Sequence, residues 1–325
     1  MTRRGRFAPT PSGLLHIGNA FTALAAWLQM RQAGGEFVLR VEDIDTARSR
    51  ADLAALQLED LRWLGIDWDE GPDVGGTYAP YVQGERMPSY EEALRRLDEA
   101  GRLYPCYCSR SDLARVASAP HGLSSEGGAY PGLCRLLTEE ERAVRAAAKP
   151  PAMRFRMDGG PVTFRDGMFG EVAFAGDEIG DFVVKRADGL FSYQLAVAVD
   201  DAAMGITDVL RGADLLDSTP RQLALYEALG LTAPSFAHVP LLMDANGRRL
   251  SKRDRSITLA SLREAGTSPE RLIGVLAGAA GWIDRPEPLS ARELVSAFGA
   301  VKPGDGAAAD RFALSDPLWR MLISD

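Results

Sequence analysis

Residues 6–21 read RFAPTPSGLLHIGNAF, and the rest of the fold follows from this stretch. Arg6 to Ala8 has the pattern of a short strand that stops at Pro9, which has no N–H to pair. Pro9, Thr10, Pro11, Ser12 and Gly13 make a turn. After HIGN, an apolar helical pattern runs from about Ala20 to Gln32 and stops at Gly34. EFVLRVED, from Glu36, alternates like a second strand. Ser49 then opens a helix whose Leu53, Leu56, Leu61 and Leu64 lie near one face, closed by Gly65. Strand, helix, strand and helix in succession predict an α/β fold with a parallel sheet.

A strand that turns straight into a helix brings unpaired backbone N–H groups and the positive end of the helix dipole to one point. That point suits phosphate. His16 and Asn19 add side-chain donors for a triphosphate, and Gly18 removes a side chain that would obstruct a nucleotide lying against the helix start. From these residues alone, the plain reading is a helix-capping histidine and a packing glycine, and the short motif by itself does not displace it.

With 46% apolar and 25% charged residues among 325, the chain can bury a sizeable core. No run approaches 18 apolar residues and no charged leader precedes an apolar segment, so the expectation is a cytoplasmic protein without membrane contact. The net charge of −8 argues against nucleic acid. Clustering matters more, however: GRRLSKRDR carries Arg248, Arg249, Lys252, Arg253 and Arg255 against Asp254.

Further along, Ser89 with Glu92 and Thr219 with Gln222 read as capping boxes for helices ending at Gly101 and Gly230, the second with Pro220 at its first position. Between them lie the turn-rich SAPHGLSSEGGAYPG and the connector AAAKPP. The expected organisation is a first half over 1–101, an insertion over 102–150, a second half over 151–255 and a short helical region over 256–325. Helices starting at Ser268 and Ser290 belong to that last part.

The lysine following a serine in RRLSKRDRS suits neutralisation of a departing pyrophosphate. With HIGN at 16–19 and RLSKR at 249–253 in that order, the sequence resembles the class I aminoacyl-tRNA synthetases, of whose HIGH and KMSKS signatures these are variants. The blocks RFAPTPSGLLHIGNAFTAL, LRVEDIDTARS, DFVVKRADGLFSYQLAVAVDD, MGITDVLRGADLLDSTPRQLALYEALG and LSKRD look like the glutamyl branch of that class. The resemblance implies a Rossmann-like catalytic domain in which His16, Asn19 and Lys252 are catalytic. It also places ATP, accompanied by Mg2+, at His16, Gly18, Asn19 and Lys252. A dicarboxylic amino acid calls for guanidinium forks and an acid, which Arg6, Arg211 and Glu42 supply. By resemblance, L-glutamate is lined by Arg6, Phe7, Ala8, Pro9, Thr10, Glu42, Tyr193 and Arg211, with Glu42 and Tyr193 near the ammonium. Without the resemblance, Tyr193 reads as a core aromatic in a strand, and Asp43 and Asp45 carry no assigned role.

Only 70 residues follow Arg255, too few for a long helical anticodon-reading domain. The chain instead resembles the truncated branch of this family, and that resemblance implies transfer of glutamate to queuosine at the wobble position of tRNA(Asp), with the anticodon loop itself brought to the site. Alternatives are a shortened synthetase charging the tRNA 3′ end and a non-catalytic tRNA-binding paralogue. Three cysteines fit a disulfide framework poorly. Cys106, Cys108 and Cys134 offer three ligands for a structural Zn2+ that staples the insertion, with Tyr130, His121 or water as the fourth. Imidazole is the commoner ligand chemistry, whereas the resemblance, a Cys-x-Cys with Tyr-x3-Cys, points to Tyr130. Three buried reduced cysteines are the plain alternative. No heptad or wide apolar stripe demands a partner, so a monomer is expected.

Overall fold

The structure, a computed structural model, describes residues 2–109, 112, 129–243, 257–299, 311–314 and 316–323. The cation-rich loop with Lys252, and His121, lie outside them.

Four parallel strands form the central sheet in the order Glu36–Leu39, Arg4–Phe7, Asp208–Gly212, Ser235–Val239. The helix Ile17–Gln32 makes the crossover from the first strand to the second. Its flanks are apolar almost all round because it is buried on several sides: Phe21, Leu24, Trp27 and Leu28 are each at most 1% exposed. Each such side chain contributes about 1.5–3 kcal/mol by leaving water. The strand Asp208–Gly212 pairs on the other side of the first strand, so chain direction out of the sheet reverses between Arg4–Phe7 and Asp208–Gly212. In a parallel sheet a ligand crevice opens at the carboxyl ends of the strands flanking such a switch. Here those ends are Arg6–Phe7 and Arg211–Gly212.

A three-stranded antiparallel sheet joins Leu103–Cys106, Ala152–Phe155 and Phe182–Lys185, and a hairpin pairs Val162–Asp166 with Gly170–Phe174. The sheet is continuous between residues 103–106 and 152–155. Among the described residues, the helices Leu259–Glu264, Pro269–Ala279 and Ala291–Leu294 share one apolar core with the first helix, and Phe21 stacks on Trp282 at 5.4 Å between ring centroids.

Several expected helix starts shift. The first helix begins at Ile17, not Ala20, because His16 is its cap. The helix expected from Ser49 spans Ala51–Trp63 with Arg50 at the cap position and no side-chain cap bond. Ser89 does not cap: the helix Met87–Glu99 starts two residues earlier, with Pro88 in its first turn. Thr219 does not cap either, since a 3-10 segment, Ala213–Ser218, runs directly into Thr219–Ala228. Ser268 and the Ser290–Glu293 capping box appear as expected. Among the described residues, no helix is long and apolar enough to cross a membrane.

Candidate active site

A cleft of about 730 Å3 opens at the switch point, and its lining includes Arg6 to Thr10, His16, Gly18, Asn19, Glu42, Tyr193 and Arg211. The residues expected to bind glutamate and ATP, Lys252 aside, therefore line one cavity.

The turn at its floor is held from three directions. Pro9 O accepts from Glu42 N (3.1 Å), Pro11 O from Arg50 N (3.0 Å), and Gln57 Nε2 donates to Thr10 O (3.1 Å) and Gly13 O (2.8 Å). Gln57 is fully buried on the helix Ala51–Trp63, whose leucine face reads only as core in the sequence.

At the helix start, the expected bare N–H groups are occupied. His16 Nδ1 accepts from Gly18 N (3.1 Å) and Asn19 N (3.3 Å), Asn19 Oδ1 accepts from His16 N (3.2 Å), and Ile17 N donates to Ile257 O. The capping reading and the nucleotide reading are compatible. Nδ1 is spent on the cap, which puts the proton of the neutral ring on Nε2 as a donor. Asn19 likewise spends its oxygen and keeps its NH2. Gly18 serves this cap, since a Cβ there would sit 3.0 Å from His16 Cε1.

Main-chain contacts tie this corner to the chain just after the lysine loop. Thr258 bridges His16, and Leu259 N donates to Leu15 O (2.9 Å). At the other side of that loop, Leu241 and Leu242 line the cleft. Both flanks of the segment carrying Lys252 thus stand at the cavity.

Glutamate's expected pocket is built on a buried ionic network. Arg6 donates through Nε to Asp201 (3.2 Å), which also accepts from Arg40 Nη1 (2.7 Å). Arg40 Nη2 donates to Glu42 Oε1 (3.0 Å). Among the described residues, then, both terminal nitrogens of Arg6 are left for a ligand carboxylate, and Glu42 Oε2 is left for an ammonium. Burial pushes the Asp201 carboxyl up, but Arg6 and Arg40 outweigh it and hold it below its ordinary value. For Glu42, burial outweighs Arg40 and raises it.

Tyr193 is not in a strand. It is the first residue of the helix Tyr193–Ala203, capped by Ser192, and its hydroxyl accepts from Arg211 Nη1 at 3.5 Å. Arg211 also donates to Gln222, Thr219, Leu215 O and His238. Thr219 and Gln222, read as a capping box, are thus partners of the pocket arginine. Asp45 also lines the cleft, 3.4 Å from Arg186.

Arg40, Asp201, His238 and Asp166 escape the sequence reading. One usable signal is the pair of adjacent acids ending the apolar run QLAVAVDD, since acids on a buried helix need cationic partners. Another is a histidine inside the apolar strand Ser235–Val239.

Away from the cleft, Cys106, Cys108 and Cys134 bring their sulfurs within 4.8 Å of one another. Cys108 Sγ lies 3.6 Å from Cys134 Sγ, and Tyr130 Oη lies 3.5 Å from Cys106 Sγ and 3.4 Å from Cys108 Sγ. With Zn–S of about 2.3 Å and Zn–O of about 2.0 Å, a tetrahedral site has edges of roughly 3.5–3.8 Å. Three edges of such a site, at 3.4, 3.5 and 3.6 Å, are in place among these atoms.

The chain matches the family model of the class I tRNA synthetases (E and Q), catalytic domain, over residues 3–302. It is 60% identical to the glutamyl-Q tRNA(Asp) synthetase of Symbiobacterium thermophilum, over 92% of this chain and 93% of the relative. Identity to the protein of the same name from Nitratidesulfovibrio vulgaris is 50%, over 90% of each. Glutamate–tRNA ligase 2 of Syntrophus aciditrophicus is 42% identical, over 97% of this chain and 65% of that protein. Among solved structures, glutamate–tRNA synthetase from Elizabethkingia anophelis superposes with a TM-score of 0.84 at 30% identity, over 99% of this chain and 70% of that one. The chain belongs to the class I tRNA synthetases of the E and Q type, within their glutamyl-Q tRNA(Asp) synthetase group.

Proposed function

We propose that the protein activates L-glutamate with ATP and transfers it to queuosine at the wobble position of tRNA(Asp). The observation that carries the first half is the cleft at the switch point, where two arginines, Arg6 and Arg211, and an acid with one unspent oxygen, Glu42, face one cavity beside the His16 turn. The second half rests on the 60% and 50% relatives named for that reaction.

In the first step the α-carboxylate of glutamate attacks the α-phosphorus of ATP, and pyrophosphate leaves. Arg6 and Glu42 hold the amino acid so that this carboxylate faces the nucleotide, which turns an encounter of two molecules into reaction within one complex. His16 Nε2–H and the Asn19 amide donate to the phosphates, aided by the helix dipole. Lys252 neutralises the charge that grows on pyrophosphate. Mg2+ bound with the ATP would offset part of its phosphate charge. In the second step a hydroxyl of the acceptor nucleoside attacks the glutamyl carbonyl and AMP leaves.

Cys106, Cys108, Tyr130 and Cys134 would hold Zn2+ as a closed structural site, with no position for substrate. The protein acts in the cytoplasm as a monomer.

Glutamate-dependent ATP–pyrophosphate exchange tests the activation step. Exchange with glutamate well above that with aspartate or glutamine supports it; exchange independent of the amino acid overturns it.

A further inference from the structure

Arg211 is a buried cation surrounded by neutral acceptors. Nε donates to His238 Nε2 (3.0 Å), Nη1 to Gln222 Oε1 (2.8 Å) and Tyr193 Oη (3.5 Å), and Nη2 to Thr219 Oγ1 (2.9 Å) and Leu215 O (3.2 Å). Among the described residues no carboxylate touches it, in contrast to Arg6 and Arg40, which share Asp201. The acid that stands behind it, Asp166, is one imidazole away: Oδ2 lies 2.6 Å from His238 Nδ1, with both side chains fully buried.

That chain of bonds fixes the ring. Asp166 accepts from Nδ1–H, so Nε2 presents its lone pair to Arg211. Asp166 is itself locked by Met168 N, Phe169 N and His238 N. Burial pulls the Arg211 guanidinium below its ordinary value, and burial holds His238 down at about 4, in the neutral form. A hairpin far from the cleft in sequence thus sets the tautomer of a ring behind the pocket.

We propose that His238, oriented by Asp166, is a positioning and specificity-determining residue that satisfies the Arg211 Nε–H without neutralising it, so that the charge is reserved for the side-chain carboxylate of the bound amino acid. Glutamate then supplies the missing anion, while glutamine, its isostere, leaves a buried guanidinium without one. The inference rests on the glutamate reading above.

The test compares isosteric changes that differ only in charge. His238→Gln offers a neutral oxygen to Arg211, His238→Glu offers an anion, and Gln222→Glu places an anion on Nη1 from another side. For each, kcat/KM for glutamate and glutamine and KM for ATP are measured by pyrophosphate exchange. His238→Gln is expected to keep the glutamate preference within about tenfold of wild type. His238→Glu and Gln222→Glu should each reduce it by on the order of 100-fold, through KM for glutamate, with KM for ATP steady. If His238→Glu does not fold, Gln222→Glu decides. Equal preference in the neutral and anionic variants overturns the proposal, because a purely structural role does not distinguish them. A wild type that fails to exchange with glutamate overturns the glutamate reading instead.

Discussion

Arg40 Nη1 and Asp201 Oδ1 lie 2.7 Å apart in the interior, and the same carboxylate accepts from Arg6 Nε. One acid thus orients two guanidinium groups, only one of which lines the cleft. Asp201→Asn keeps the shape and removes the anion, leaving two buried cations short of a partner. The variant should lose about 3–5 kcal/mol of stability and show a raised KM for glutamate. Denaturant melts and exchange kinetics check this; a wild-type midpoint with a wild-type KM would contradict it.

Lys252→Ala should slow adenylate formation by orders of magnitude while the melting temperature stays put, since its role is to stabilise charge in the transition state. Pyrophosphate exchange at the wild-type rate would remove Lys252 from the mechanism.

The sulfur cluster leads to a metal prediction. Purified protein should carry one zinc per chain, and Cys108→Ser should release it, because a hydroxyl is a poor replacement for a thiolate. Elemental analysis reads the outcome, and full retention of zinc in the variant speaks against this ligand set.

Asp60 gives a pH-dependent prediction. Among the described residues, neither buried carboxylate oxygen has a hydrogen bond and the nearest cation is Arg263 at 3.7 Å; burial raises the group to about 6. An acid raised in the folded state stabilises the fold at low pH and loses that contribution as pH rises through its folded value. Asp60→Asn should therefore be more stable than wild type at pH 8 by roughly 1–3 kcal/mol, with the advantage shrinking below pH 6 and gone near pH 4. Melts across that range read it; a pH-independent difference would refute the assignment.

Much of the site is legible from sequence because its parts are local. A strand, a proline turn and a helix start lie within residues 6–21, so Arg6, His16, Gly18 and Asn19 come together without any tertiary information. What stays hidden is the support, which is long-range: Asp166 meets His238 across 72 residues, and Arg6 meets Asp201 across 195. Thr219 and Gln222 show how a local rule fails. Their spacing matches a capping box, but the preceding 3-10 turn already satisfies the helix start, which leaves both side chains to hold Arg211. Tyr193 misleads for a similar reason, since an apolar run buried on all sides has the same composition in a helix as in a strand.

The most direct test of the central claim is transfer of labelled glutamate, with ATP, to purified tRNA(Asp) with and without queuosine, alongside tRNA(Glu). The account predicts label on queuosine-containing tRNA(Asp) alone, and label on the 3′ end of tRNA(Glu) would contradict it.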